Sequence, residues 1–395
     1  MVRVLKEHKG IVLVGLLGVF ACLGLARFAF GMILPDMQIN LHMNATQAGI
    51  VGSANFTGYF LGLFVVGRWY AKFGPRNLIF LSLLAQAVGM LSMALSSNYL
   101  IASAFFVFTG FFGALANISI MTFIAQSVPL HMKGRATGIV MMGIGLSVIL
   151  SGIITPTVSA LVENPWRISW AIFALLVFAT SVLSFFKISK NPTLFHDQSH
   201  NDDALTLAYI FKSCPFWQTG ILFFIFGSCA IMFMTFFVAA LEEAWLLDAK
   251  VSGIFWAILG VSSLFSGPIF GMVSDKFGRH VTLGILFGLQ GFAHLLVAFN
   301  VPLYGFFISA AIFGLSTWAV PSIMATLSSE LFGSKHTARI LAIITLFFGV
   351  GQMIGPLVAG VLRDLKGDYS LAFTISTFLL WSGVFIAFKG CKNGR

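Results

Sequence analysis

Charge is what this chain has least of. Only 9% of its 395 residues are charged, 23 Lys plus Arg against 13 Asp plus Glu, where soluble domains carry about 25%. A water-facing surface so poor in charge would aggregate, which excludes an ordinary soluble protein and leaves lipid as the solvent. The four cysteines Cys22, Cys214, Cys229 and Cys391 are far apart, show no metal-ligand spacing, and indicate neither zinc nor a disulfide. No G-x-x-x-x-G-K-[ST] sequence occurs, so ATP drive is not expected, and no cofactor is indicated. The basic residues form small groups between apolar runs rather than a stripe. The net charge of +10 therefore points to membrane topology, not to nucleic acid.

What is present is apolar: 58% hydrophobic residues, with 44 Phe and 40 Gly. Apolar runs predict twelve spans, at about 11–34, 46–67, 77–96, 99–127, 137–161, 168–187, 215–240, 251–272, 281–299, 303–328, 339–362 and 371–389. Lipid offers the backbone no partners, so each span is helical. The first run is too long for a signal peptide and lacks a cleavage site. Lys and Arg are placed asymmetrically, 18 at the termini and even-numbered connections and four at the odd-numbered ones. That predicts an inner or plasma membrane protein with both termini cytoplasmic. The longest polar stretch follows the sixth span. It divides the chain into an N-terminal bundle at 1–190, a cytoplasmic central loop at 191–212 and a C-terminal bundle at 213–395, expected to act as a monomer.

The two halves repeat one another. An offset of 204 residues aligns Gly49 with Gly253, Lys72 with Lys276, Gly74 with Gly278, Arg135 with Arg339 and Gly145 with Gly349. Between the eighth and ninth spans lies Gly271-Met272-Val273-Ser274-Asp275-Lys276-Phe277-Gly278-Arg279-His280. It resembles the loop motif G-x-x-x-D-[RK]-x-G-[RK]-[RK] of the major facilitator superfamily. The first-half copy has Ala71 and Pro75 where the motif has Asp and a basic residue. Gly24-Leu25-Ala26-Arg27-Phe28-Ala29-Phe30-Gly31 with Pro35 is similar to the first helix of the YbfB/YjiJ-like branch. The resemblance implies an all-α integral membrane protein of twelve transmembrane helices in two six-helix pseudo-symmetric bundles. It further implies a secondary active transporter, not an enzyme, working by alternating access.

The resemblance also gives Asp275 a role. The loop aspartate of the family docks near the start of a helix in the opposite half, where the helix dipole favours it. Here that is the start of the fifth span near Arg135, and Asp275, Lys276, Arg279 and Arg135 become a conformational latch. Ala71 leaves the first-half counterpart missing or replaced.

No carboxylate lies in the middle of a span, and Arg27 is the single basic residue inside one. An unpaired guanidinium at that depth is costly unless it faces water, an anion or a partner. One reading makes Arg27 a ligand-facing cation that binds a carboxylate, sulfonate or phosphate; the other has it snorkel to the outer headgroups. In the family the first helix lines the cavity. Gly24 and Gly31 leave space beside Arg27 for a ligand or a neighbouring helix, and its repeat mate is Ile231. The nearest acids, Asp36 and Glu242, are candidate proton sites or gates, or else solvated loop carboxylates.

Asn55, Tyr59, Asn117, Trp318 and Gln352 are the polar and aromatic span residues that could line a cavity, although each alone fits helix packing equally well. Breaks at Pro321 and Pro356 would free carbonyls that tolerate burial only in protein or beside water. In the family the ninth helix is peripheral, so His294 is read as packed or interfacial. The leading expectation is transport of a small organic anion bound near Arg27 in a central cavity, with protons as a candidate coupling ion. The alternative is efflux of drugs or hydrophobic metabolites by proton antiport.

Overall fold

A computed structural model describes residues 2–129, 132–189, 213–332 and 337–389, without the side chains of 2–8 and 337–339. The central loop expected at 191–212 lies outside the described residues, as do Cys391, Lys392 and Arg395. Ten helices are long and apolar enough to cross a membrane, and Ala249–Ser263 with Ser266–Phe277, bent by 43°, makes an eleventh. The twelfth is Ala45–Leu63, whose Gln47, Asn55 and four glycines dilute its hydropathy. Its polar residues are tolerated because much of this helix is buried in protein rather than in lipid.

The first span runs through Val2–Val19, a π-helix Phe20–Phe28 and Phe30–Asn40, and so extends past its expected end. The others are Val66–Ala94, Tyr99–Ser127, Lys133–Ser159, Pro165–Lys187, Cys214–Trp245, Arg279–Ala298, Leu303–Thr317 with Ala319–Phe332, Thr337–Lys366 and Ser370–Phe388. The tenth span is interrupted only at Trp318, which keeps right-handed helical dihedrals, so Leu303–Phe332 runs on as one helix past Pro321 rather than breaking there. The expected break at Pro356 does not occur, for Thr337–Lys366 is continuous through it. Packed neighbours support the chain there: the Pro356 carbonyl lies against Gly49 of the second span. Cys214 is disulfide-bonded, which its sequence spacing did not indicate, while Cys22 and Cys229 are free and buried.

The repeat is visible residue by residue. Asn44 and Asp248, 204 apart, each cap a helix by accepting from the backbone N–H three residues on, at 2.8 and 2.9 Å. Gly74 and Gly278 close the following turns at φ 70° and 86°, a conformation that costs glycine little. Within each half the first helix packs on the fifth, the second on the fourth and the third on the sixth, twice over.

The halves meet through the first span on the seventh, the second on the eleventh and the fifth on the eighth. They meet at the end of the bundle away from the termini, here the far end. There Gly152 and Gly253 bring the fifth and eighth spans into backbone contact, and Trp256 Nε1 donates to Ser151 Oγ at 3.0 Å. Asp364, from the eleventh span, accepts from Ala45 N at 3.1 Å, Thr46 N at 2.8 Å and Thr46 Oγ1 at 2.6 Å. This carboxylate of one half thus caps a helix of the other. Toward the termini the same spans part: among the described residues no other element brings an atom within 4 Å of where a Cβ would stand on Gly134, Gly138, Gly267 or Gly271.

Candidate functional site

The π-helix is what aims Arg27. Its wider turn, closed by Ala29 N–H donating to Gly24 O at 3.0 Å, breaks the α-helical ladder. Gln86 of the third span then donates to the Cys22 and Thr109 carbonyls at 3.2 and 3.1 Å. Gly24 packs on Ser147 and Gly31 on Met234 O and Trp256, so both glycines admit neighbouring helices.

Arg27 does not snorkel. It is 7% exposed, and its Nε donates to Asn55 Oδ1 at 3.0 Å. The guanidinium carbon lies 4.1 Å from the Phe56 ring centre and 4.3 Å from that of Tyr59. Contacts of this kind are worth about 0.5–2 kcal/mol each and partly offset the loss of water. No carboxylate pairs with Arg27 among the described residues. Its Nη2 is buried without a partner, a deficit of about 1–3 kcal/mol. The site therefore holds an unanswered donor on a buried cation.

Most of the expected residues gather here. Asn117 Nδ2 donates to Tyr59 Oη at 2.9 Å, which orients the ring over Arg27, and Asn55 Nδ2 donates to Phe106 O at 3.4 Å. Trp318 packs edge-on to Phe28 with ring centres 5.0 Å apart, and its Nε1 is buried without a partner. Gln352 is the exception: buried in the eleventh span, it has no hydrogen bond to this cluster among the described residues.

Beside the guanidinium lies a cavity of about 10 Å³, room for a single water, lined among others by Arg27, Phe30, Gly31, Ile231, Met234 and Thr235. These six are three repeat pairs, each 204 apart. The cavity therefore lies between the halves, where the first span faces its repeat mate, with the cation on one side only; its remaining lining residues, Phe28, Gly52, Phe56 and Phe106, all come from the first half. Applying the repeat offset to the inward face of the first helix would have found Met234 and Thr235. Phe56 and Phe106, which also line the cavity, carry no signal that separates them from the other phenylalanines.

The loop residues are placed in their own half. Arg279 Nη1 contacts Asp275 Oδ1 at 2.6 Å and donates to Ser274 Oγ, while its Nε reaches Glu330 Oε1 at 2.9 Å. Lys276 lies 5.2 Å from the Phe277 ring centre, and Arg135 is exposed. Asp36 and Glu242 are half-buried at the far end, one from each half. Ser159 accompanies Asp36, while Ser252 and Asp248 accompany Glu242. His294 is fully buried, its ring nitrogens 2.7 and 3.2 Å from the Gln290 and Cys229 carbonyls.

Comparison with known proteins places these features in context. Residues 19–388 match the family described as "Uncharacterised MFS-type transporter YbfB". The chain is 33% identical to tetracycline resistance protein, class H, of Pasteurella multocida, over 31% of this chain and only 30% of that protein's length. It is 21% identical to the hexuronate transporter of Bacillus subtilis (strain 168), over 89% of this chain and 87% of that one. The solved nucleoside transporter NupG superposes with a TM-score of 0.78 at 12% identity, covering 96% of this chain and 99% of that one.

Proposed function

The chain belongs to this YbfB-type family of major facilitator transporters, and from that premise we propose that it carries a small organic anion across the membrane by alternating access. The observation that carries the reading is the partnerless Nη2 of a buried arginine, at a cavity between two repeated halves. In such folds substrate sites lie near the midplane at the repeat interface. An anion there would satisfy the donor and neutralise the guanidinium, with Asn55, Tyr59, Asn117 and Trp318 completing the site.

With both termini cytoplasmic, as the excess of basic residues at that end supports, the sealed far end is the outer one and the structure is inward-facing. The bundles at 1–190 and 213–395 then rock as units within one monomer of the inner or plasma membrane. In the opposite state Asp275 leaves Arg279 and docks at the start of the fifth span near Arg135. Asp36 and Glu242, facing each other across the outer seal, are the candidate proton sites if transport is proton-coupled.

A thermal-shift screen of purified protein against small anions and lipophilic cations, repeated with Arg27→Ala, tests the reading. Anions should stabilise the native protein and not the variant. The apolar lining of the cavity favours a second reading, efflux of hydrophobic compounds; stabilisation of both proteins by lipophilic cations would select it.

A further inference from the structure

We infer that the site takes an amphipathic monoanion, a single carboxylate or sulfonate on a flat apolar body, with its oxygens shared between Arg27 Nη2 of the first half and Trp318 Nε1 of the second. This rests on the anion reading above and narrows it to a chemical class.

Charge sets the first limit. Among the described residues, Arg27 is the only charged one lining the cavity. One negative charge is thereby neutralised, whereas a dianion would carry an uncompensated charge into a medium where that is very costly.

Hydrogen-bonding capacity sets the second. The walls around Arg27 are Phe28, Phe30, Phe56, Phe106, Ile231 and Met234. The hydroxyl of Thr235 already donates to Ile231 O at 2.8 Å, and Asn55 is engaged by Arg27 and Phe106. Thr235 Oγ1 can still accept, and Asn117 Oδ1 is buried without a partner among the described residues; a polyhydroxylated body would strand the hydroxyls beyond these, at about 1–3 kcal/mol each.

The third limit concerns the head group. Two donors are buried without partners among the described residues, Arg27 Nη2 in the cavity wall and Trp318 Nε1 behind Phe28, and they come from opposite halves. Both flank the Phe28 ring, whose centre is 5.9 Å from the guanidinium carbon and 5.0 Å from the Trp318 ring centre. A carboxylate or sulfonate has the acceptor oxygens to serve both. A head group held by both halves binds best when they are closed around it, and that difference in affinity between states is what couples binding to movement. The cavity is contracted, so the ligand body must displace Phe28 or Phe56 and take up the ring contacts they now make.

The test uses purified full-length protein and isothermal titration with four probes: benzoate, acetate, phthalate and glucuronate. Benzoate should bind at least about tenfold more tightly than acetate, phthalate or glucuronate. Trp318→Phe, which keeps a ring and removes the donor, should weaken benzoate by about 10- to 100-fold, the range for one hydrogen bond to a charged group. Phthalate or glucuronate binding as tightly as benzoate would overturn the class while leaving the anion reading in place. Absence of binding by all four would overturn both. Unchanged benzoate affinity in Trp318→Phe would overturn the shared head group. Should that variant not fold, the four-probe series on the native protein still decides the class.

Discussion

The contact most exposed to a decisive perturbation is Asp364 on the start of the second span. Its Oδ1 accepts from Ala45 N, and its Oδ2 accepts from both Thr46 N and Thr46 Oγ1. Asp364→Asn keeps one acceptor oxygen, so at least one of these bonds is lost, along with the attraction between the carboxylate and the positive helix end. Hydrogen bonds to a charged group are worth about 1.5–3 kcal/mol, and a charge at a helix terminus about 0.3–1 kcal/mol. With the Asp364 side chain 25% exposed, water offsets part of this, leaving about 1–2 kcal/mol. Such a loss should shift the balance between sealed and parted far ends by about 5- to 30-fold. Spin labels at Leu161→Cys and Leu246→Cys, 76% and 92% exposed at the far end of opposite halves, report this as a distance distribution. A longer-distance population should grow in Asp364→Asn and grow less in Thr46→Val, which removes only the hydroxyl bond. An unchanged distribution would refute the view that this cap holds the far end shut.

Other expectations follow from the same geometry. Gly152→Leu places a side chain against the Gly253 backbone; it should prevent far-end sealing and abolish flux in proteoliposomes, with normal insertion, and wild-type flux would contradict backbone contact there. Gln86→Leu removes both bonds that answer the Cys22 and Thr109 carbonyls and should lower stability by about 1–3 kcal/mol, read as a lower melting temperature. Asp275→Ala should reduce transport with little loss of expression; unchanged transport would sink the latch proposal.

The architecture was legible in the sequence because lipid reduces the choice of backbone to helices, and because one offset relates the halves. Asn44 with Asp248, and Gly74 with Gly278, confirm that offset as shared geometry. The π-turn was not legible. It depends on Gln86, far away in sequence, answering a carbonyl that an α-helical register would have used itself. Pro356 misled because a proline disrupts a helix only where neighbours fail to support it. Arg27 was legible as a charge without a reason to be in a span. Its surroundings were less so, since Phe56 and Phe106 differ from the other phenylalanines only in where packing puts them. Asp275 was legible as a motif, but its pairing with Arg279 within its own half was not, because several basic residues lie within reach of it in the sequence.

The most direct measurement is flux of labelled benzoate into proteoliposomes containing either the native protein or Arg27→Gln, reconstituted to equal density. The native protein should support saturable flux that excess unlabelled benzoate suppresses, and Arg27→Gln should reduce it to the level of empty vesicles. Equal saturable flux in both would contradict the assignment of Arg27 as the anion anchor.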